Sequence, residues 1–274
     1  MPEGPEIWRS VDKLQEALHD KSVEEMYFAF DNLKEYEHRI EQAQVERVEA
    51  RGKAILTYFT NSLALYSHNQ LYGKWMIRNR GNEPKTNRQL RVAIHNADKS
   101  AYLYSASDIE MLRNDRVEQH PYIKKLGPDP LHPQTVFEDI YDRYHGEKFQ
   151  NRKLTTLLLD QSFISGIGNY LRSEIMFDAG VNPFIKLRKC TDKQKEKLAD
   201  STYTLIRRSY ETGGITNEPD IVEALKRENV SRRNYRHFAY KRTGKRCYRC
   251  GEIIEEKNEG GRKVYYCPSC QLKM

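Results

Sequence analysis

The chain of 274 residues is too long for one ordinary core and suits two domains. With 38% hydrophobic and 31% charged residues it is polar but not disordered in type, and 46 Lys+Arg against 39 acidic residues give a net charge of +7 that favours polyanionic partners. No stretch of 18 apolar residues exists to cross a membrane as a helix, and the opening MPEGPEIWRSVDKLQ lacks the apolar core of a secretory signal, so a cytoplasmic protein is expected. Over residues 5–20, Ile7, Val11, Leu14 and Leu18 recur at helical spacing, and Pro5 suits a first helical turn, where its missing N–H costs nothing. Residues 45–105 then change period. Short runs such as VERVEA, AILTYF, LALYS, LRVAIH and AYLYSA are separated by turn signals at Arg51-Gly52, Asn61-Ser62, Gly81-Asn82 and Asn96-Ala97-Asp98, which predicts a β-sandwich. SASDIEMLRN reads as a short capped helix leaving it.

Three prolines in GPDPLHP mark a linker at 127–133 between a domain at 2–126 and a helical one at 134–236. Helical patterns follow at 134–145, 152–160, 169–178, 192–211 and 220–228. Residues 226–249 hold ten Lys/Arg and one acid, interleaved with Tyr235, His237, Phe238, Tyr240 and Tyr248; cations alternating with aromatic rings suit a nucleic-acid surface. The last segment, 237–271, carries Cys247-x2-Cys250 and Cys267-x2-Cys270 separated by 16 residues. That spacing predicts four thiolates on one zinc ion. Gly260-Gly261, flanked by IIE and VYY, predicts a β-hairpin between the pairs, with Arg249, Lys257, Arg262 and Lys263 exposed on it. Four thiolates leave no open coordination position, so the ion is structural, and so small a hairpin needs it in order to fold. Cys190 is left over and reads as a small buried thiol without a role.

Chemistry concentrates at the amino end. Removal of Met1 from MPEGPEI leaves Pro2 as a secondary amine whose ordinary pKa lies near 7.7–8, so a fraction is nucleophilic at neutral pH. Such an amine adding to a sugar carbon gives an iminium that cannot shed a proton from nitrogen and so remains an electron sink. Glu3 and Glu6 stand close by in sequence to move protons.

MPEGPEI, RGKAIL (51–56), SHNQLYG (67–73), SASDIEM, LLLDQSFISGIGNYLRSEI (157–175) and the paired CxxC motifs occur together in one family. From residue 2 to about 271 the chain resembles the endonuclease VIII (Nei) branch of the formamidopyrimidine-DNA glycosylase family, with 180–235 the weakest stretch. The resemblance implies an α+β multidomain fold: an N-terminal sandwich flanked by a helix, a helix–two-turns–helix domain and a zinc hairpin. It implies a monomeric bifunctional DNA glycosylase and AP lyase acting on oxidised pyrimidines in double-stranded DNA.

The same resemblance implies roles for single residues. Pro2 matches the nucleophile, Glu3 the adjacent acid, and Glu6 a supporting carboxylate. Lys53 matches a lysine that reaches the lesion phosphate and assists β-elimination, and Arg262 an arginine that holds phosphates and supports δ-elimination. Gln70, Leu71 and Tyr72 match a wedge that fills the gap left by the extruded base. Asn169 matches the asparagine of the helix–two-turns–helix element, where Gly166 and Gly168 permit a tight turn. Lys125 stands where relatives commonly carry an arginine, which keeps charge at a phosphate contact but loses the bidentate fork. Two alternatives stay open: the same chemistry on oxidised purines, and a non-catalytic zinc-ribbon protein that binds DNA.

Overall fold

The computed structural model describes residues 2–272; Met1, whose removal is expected to free the Pro2 amine, lies outside the described residues. The chain separates into two compact units, one of Pro2 with Glu6–Lys125 and one of Glu3–Pro5 with residues from Leu126 onward.

In the first unit α1 (Gly4–Leu18) buries the Ile7, Val11, Leu14 and Leu18 stripe. Eight strands follow: β1 (Glu25–Phe28), then after the short α2 (Glu35–Ile40) β2 (Val45–Arg51), β3 (Ala54–Phe59), β4 (Leu63–His68), β5 (Lys74–Asn79), β6 (Leu90–His95), β7 (Lys99–Tyr104) and β8 (Asp108–Arg113). They form two antiparallel four-stranded sheets, β1-β6-β7-β5 and β2-β3-β4-β8. Alternation along the strands assigns the faces. Ile55 and Phe59 of β3 join Phe28, Val92, Ile94 and Leu103 of the other sheet in the core, while Ala54, Leu56 and Tyr58 face a smaller cluster with Val117 and Ile123.

Two expectations are corrected here. SASDIEMLRN forms β8, not a helix: its Asp108–Arg113 segment pairs along the whole of Leu63–His68. Ile109 and Met111, two residues apart, pack against the sandwich core, and the open edge of β4 supplies a ladder that outweighs the cap-like S-x-x-D signal. The 152–160 helix is one turn, α4 (Leu154–Leu157), preceded in the chain by α3 (Phe137–His145). Asp160 Oδ1 accepts the Ser162 N–H at 2.9 Å in a turn that ends it.

The second unit continues with α5 (Asn169–Asp178), α6 (Asp192–Glu211), α7 (Pro219–Arg227), α8 (Arg232–Tyr235), a hairpin of β9 (Glu255–Glu259) and β10 (Arg262–Tyr266), and a closing turn α9 (Pro268–Gln271). Thr191 and Gln194 form the capping box that starts α6. Helices and hairpin share one core, in which Ile254, Val264 and Cys267 join Phe177, Leu198 and Phe238. The proline-rich stretch packs on this unit. Gly127 N–H donates to Gln161 O at 2.8 Å and Ser165 N–H to Pro128 O at 3.0 Å, so the prolines rigidify a docked strap.

Of the interleaved rings of 226–249, His237 and Phe238 are buried in the second unit and Tyr240 packs against its core, while Tyr235 and Tyr248 are half-buried. Phe238 is fully buried and stacks on Phe177 at 5.1 Å, His237 is buried, and Tyr240 packs edge-on to Tyr265. Two cations of that run are spent internally. Buried Arg242 donates to Phe238 O and Arg246 O and lies 3.5 Å over the Tyr248 ring, while Arg249 pairs with Asp178 and Glu218.

Candidate active site and nucleic-acid interface

On the first unit, Pro2 stands half-buried ahead of α1 and lines a groove of about 570 Å³. One wall is the α1 stripe Glu6, Arg9, Ser10 and Lys13, spaced to fall on one helix face; β5 supplies the other through Lys74, Met76 and Arg78. Glu6 Oε1 accepts from Arg9 Nη2 at 3.0 Å. Cations outnumber acids along these walls.

Lys53 follows Gly52, whose φ of +60° turns β2 into β3. Lysine at a hairpin turn is normally solvated, but Lys53 is only 7% exposed. Its backbone N–H donates to Tyr122 Oη at 3.0 Å, and Tyr122 also packs edge-on to His68 at 5.3 Å. Burial, aided by the Lys53 charge and opposed by Asp108, holds the His68 pKa below its usual 6.5. A neutral ring suits its contact, because His68 Nδ1 accepts the Gln70 N–H at 3.0 Å. Gln70, Leu71 and Tyr72 occupy the tight loop after β4; Leu71 is 54% and Tyr72 67% exposed, a costly display of apolar surface for a mere turn. Lys125 is exposed, its ammonium 5.9 Å from the Tyr122 ring centre.

On the second unit, Glu3 is 4% exposed and caps α5. Its Oε2 accepts N–H groups of Gly168 (2.8 Å) and Leu171 (3.2 Å), and its Oε1 that of Tyr170 (2.8 Å). The positive end of a helix dipole and three oriented donors make this a carboxylate cradle. Gly168 is required there by space: a Cβ would lie 2.3 Å from Glu3 Cδ. Gly166, at φ +86°, accepts the Gly4 N–H at 2.8 Å.

Asn169 opens α5, and its side chain is tied inward. Oδ1 accepts from Arg172 Nη2 at 2.5 Å and Nδ2 donates to Lys263 O at 3.2 Å. Sequence reasoning missed Arg172. It is fully buried and also donates to Thr155 O and Lys263 O, joining α4, α5 and β10. Burial first, then the neighbouring charge of Arg262, push its pKa down to about 10, so it stays a cation at neutral pH. Arg262 itself is exposed at the start of β10, directly after the Gly260-Gly261 turn, and Lys263 pairs with Glu256.

Glu174 was also missed. Wholly buried, its carboxylate accepts from the backbone of Phe238, Ala239 and Tyr240 at 2.7–2.9 Å and from Thr216 Oγ1 at 2.5 Å. A charged residue on a helix reads in sequence as a solvated face; only the acceptors around Arg172 and the donors around Glu174 mark these two as interior.

The four sulfurs of Cys247, Cys250, Cys267 and Cys270 lie within 4.8 Å of one another. Thiolates about 2.3 Å from a tetrahedral zinc ion stand roughly 3.8 Å apart, and the observed 3.4 Å (Cys250–Cys267) and 3.9 Å (Cys247–Cys270) fit that ion.

Comparison with known proteins agrees with this arrangement. Family models match at residues 1–106 (formamidopyrimidine-DNA glycosylase N-terminal domain), 126–219 (the H2TH domain of the same glycosylase) and 244–272 (a zinc finger found in FPG and IleRS). Endonuclease 8 of Shigella sonnei and of Escherichia coli O9:H4 are each 43% identical over 271 residues, covering 99% of this chain and 100% of theirs. The chain belongs to the endonuclease VIII branch of the formamidopyrimidine-DNA glycosylase family. Its fold is shared with the Lactococcus lactis formamidopyrimidine-DNA glycosylase. One structure of that enzyme, bound to DNA with an AP site, aligns at TM-score 0.80 and 18% identity; another, with DNA containing an oxidised pyrimidine, at 0.81 and 19%. Both alignments cover 99% of this chain and 100% of the other. The zinc-finger match and the four-sulfur cluster together identify one structural zinc ion as this endonuclease VIII relative's metal.

Proposed function

We propose that this protein is a bifunctional DNA glycosylase and AP lyase of base excision repair that removes oxidised pyrimidines from double-stranded DNA. The observation that carries this is the position of Pro2 on the wall of a cation-rich groove, on the same unit as a buried lysine and an exposed Gln-Leu-Tyr loop. With Met1 removed, the Pro2 nitrogen attacks C1′ of the damaged nucleotide, the C1′–N bond breaks and the base leaves with a proton; the C1′–O4′ bond then breaks, O4′ taking up a proton, and the nitrogen lone pair forms the C1′=N double bond. The resulting iminium withdraws electrons, so loss of a C2′ proton expels the 3′ phosphate and a second elimination expels the 5′ phosphate.

Glu3 supports sugar opening, with Glu6 as the second carboxylate. Lys53 assists β-elimination, and Arg262 grips phosphates for δ-elimination, where a guanidinium fork matches two oxygens. Lys125 and Asn169 serve phosphate contacts. Because the Asn169 side chain is tied to Arg172 and Lys263, its contribution is to fix the start of α5, whose backbone N–H groups hold Glu3. Domains at 2–126, 134–236 and 237–271, joined at 127–133, are the division we adopt, with the chain a cytoplasmic monomer associated with the nucleoid through DNA.

Borohydride trapping tests the whole scheme, because reduction of the iminium links protein to DNA irreversibly. Covalent product is expected with duplexes containing dihydrouracil or thymine glycol, and none with Pro2 blocked by retained Met1. Stronger trapping on oxidised purines would transfer the assignment to those lesions. No trapping on any lesion, with DNA binding intact, would leave a non-catalytic DNA-binding protein.

A further inference from the structure

The loop that carries Gln70, Leu71 and Tyr72 is held by more than its own turn. Within it, Gly73 N–H donates to Asn69 O at 2.7 Å, closing so tightly that a Cβ on Gly73 would lie 2.5 Å from that oxygen. Gln70 sits at φ +46°, a conformation that a non-glycine residue keeps only when its surroundings impose it. Those surroundings come from elsewhere in the sandwich. Arg88, in the connection between β5 and β6, donates from Nη1 to Tyr72 O at 2.6 Å. Ser107, just before β8, donates from Oγ to Gln70 Oε1 at 2.8 Å. Two segments distant in sequence thus brace the two ends of a tripeptide whose apolar side chains project outward.

We infer that Arg88 and Ser107 are positioning residues for base extrusion, holding the Gln70–Tyr72 wedge in its inserting conformation before DNA arrives. The inference rests on the proposal that this tripeptide is the wedge. A wedge must replace a stacked, paired base, and any ordering left to that moment is subtracted from the drive for extrusion. Neither residue need touch the reacting atoms. Arg88 holds a backbone carbonyl, which fixes where Tyr72 leaves the loop, and Ser107 fixes the Gln70 amide, which fixes which face of it meets the duplex.

The test compares the full-length zinc-loaded enzyme on two substrates under single-turnover conditions: dihydrouracil paired within a duplex, and the same lesion unpaired in a short bubble. For Arg88→Ala and Ser107→Ala, the excision rate on the paired lesion should fall roughly tenfold, the scale of leaving about one residue's ordering to the extrusion step. Rates on the bubble should match the wild type, since little unstacking remains to be done. Arg88→Lys, which can still donate to the Tyr72 carbonyl, should recover most of the loss.

Equal losses on both substrates, or weaker DNA binding with unchanged excision, would overturn the inference and make Arg88 a phosphate contact. Tyr72→Ala separates this inference from the wedge proposal itself. If Tyr72→Ala slows the paired substrate while Arg88→Ala and Ser107→Ala do not, the wedge stands and the bracing role falls. If Tyr72→Ala is also silent, the wedge proposal has failed.

Discussion

Replacing Glu3 by Gln is the sharpest perturbation of the α5 start. The carboxylate receives three backbone N–H groups, two on Oε2 and one on Oε1. A glutamine amide keeps only one acceptor. With its NH2 in the Oε1 position, Tyr170 N–H faces another donor; with NH2 in the Oε2 position, both Gly168 and Leu171 do. The better choice therefore still strands one buried donor, at about 1–3 kcal/mol. Loss of negative charge at a helix N-terminus adds roughly 0.3–2 kcal/mol in a buried setting. A total near 2–4 kcal/mol should lower the melting temperature of the second unit by roughly 5–10 °C.

Gly168→Ala should act through the same contact, because its Cβ would lie 2.3 Å from Glu3 Cδ and must expel the carboxylate. Calorimetry of Glu3→Gln, Gly168→Ala and the double variant should then show a double loss well short of the sum. Glycosylase and lyase rates read the chemical role separately. Glu3→Gln should lose base removal from an intact lesion and keep much of its lyase activity on a pre-formed abasic site, where the sugar is already partly open. An unchanged melting temperature would refute the cradle. Equal losses on both substrates would leave Glu3 a pure anchor and move the acid to Glu6.

Three further outcomes are expected. Chelation of zinc, or Cys267→Ser, should unfold the β9–β10 hairpin and weaken DNA binding while the sandwich transition persists, as seen by calorimetry and amide exchange. Arg262→Ala should reduce the salt slope of DNA binding by about one and shift products from δ- toward β-elimination, read by salt titration and gel analysis. His237 is held well below 6.5 by burial and then by Arg236, Arg232, Lys241 and Arg242, so the native state leaves it neutral while the unfolded chain protonates. Its contribution is full above pH 6.5 and lost as pH falls below that value. Neighbouring Glu174, raised above 4.5 chiefly by burial, binds protons more readily when folded and opposes the loss; His237→Gln should flatten the decline of stability between those two values in denaturant titrations.

Much of the architecture was legible because the signals were local and periodic. The α1 stripe repeats every three to four residues, the strands from 45 to 104 alternate between turn residues, and the cysteine spacing carries its own ligand geometry. What escaped depended on partners distant in sequence. β1 has four residues and only Met26 and Phe28 to bury, and it exists because β6 lies beside it. The β8 segment begins with residues that resemble a cap and becomes a strand through β4. In α5, every residue from Tyr170 to Phe177 is buried, so its Arg-Ser-Glu run is not a wet face but a set of internal ties.

That last case governs how charge should be read for function. Ten cations between 226 and 249 suggest a broad phosphate surface, yet Arg242 and Arg249 serve the fold, and His237 and Phe238 of the same run are buried. Conversely, the groove beside Pro2 draws Arg9, Lys13, Lys74 and Arg78 from two separate segments whose composition is unremarkable in sequence. Counterion release counts only cations that meet phosphate, so a salt slope predicted from composition would overcount the C-terminal run and overlook the sandwich. The chemical residues are legible for a different reason. A proline amine proposed as nucleophile has to sit at the start of the processed chain, and the proposed acid is the next residue along, so Pro2 and Glu3 stand out in the sequence without any knowledge of the fold.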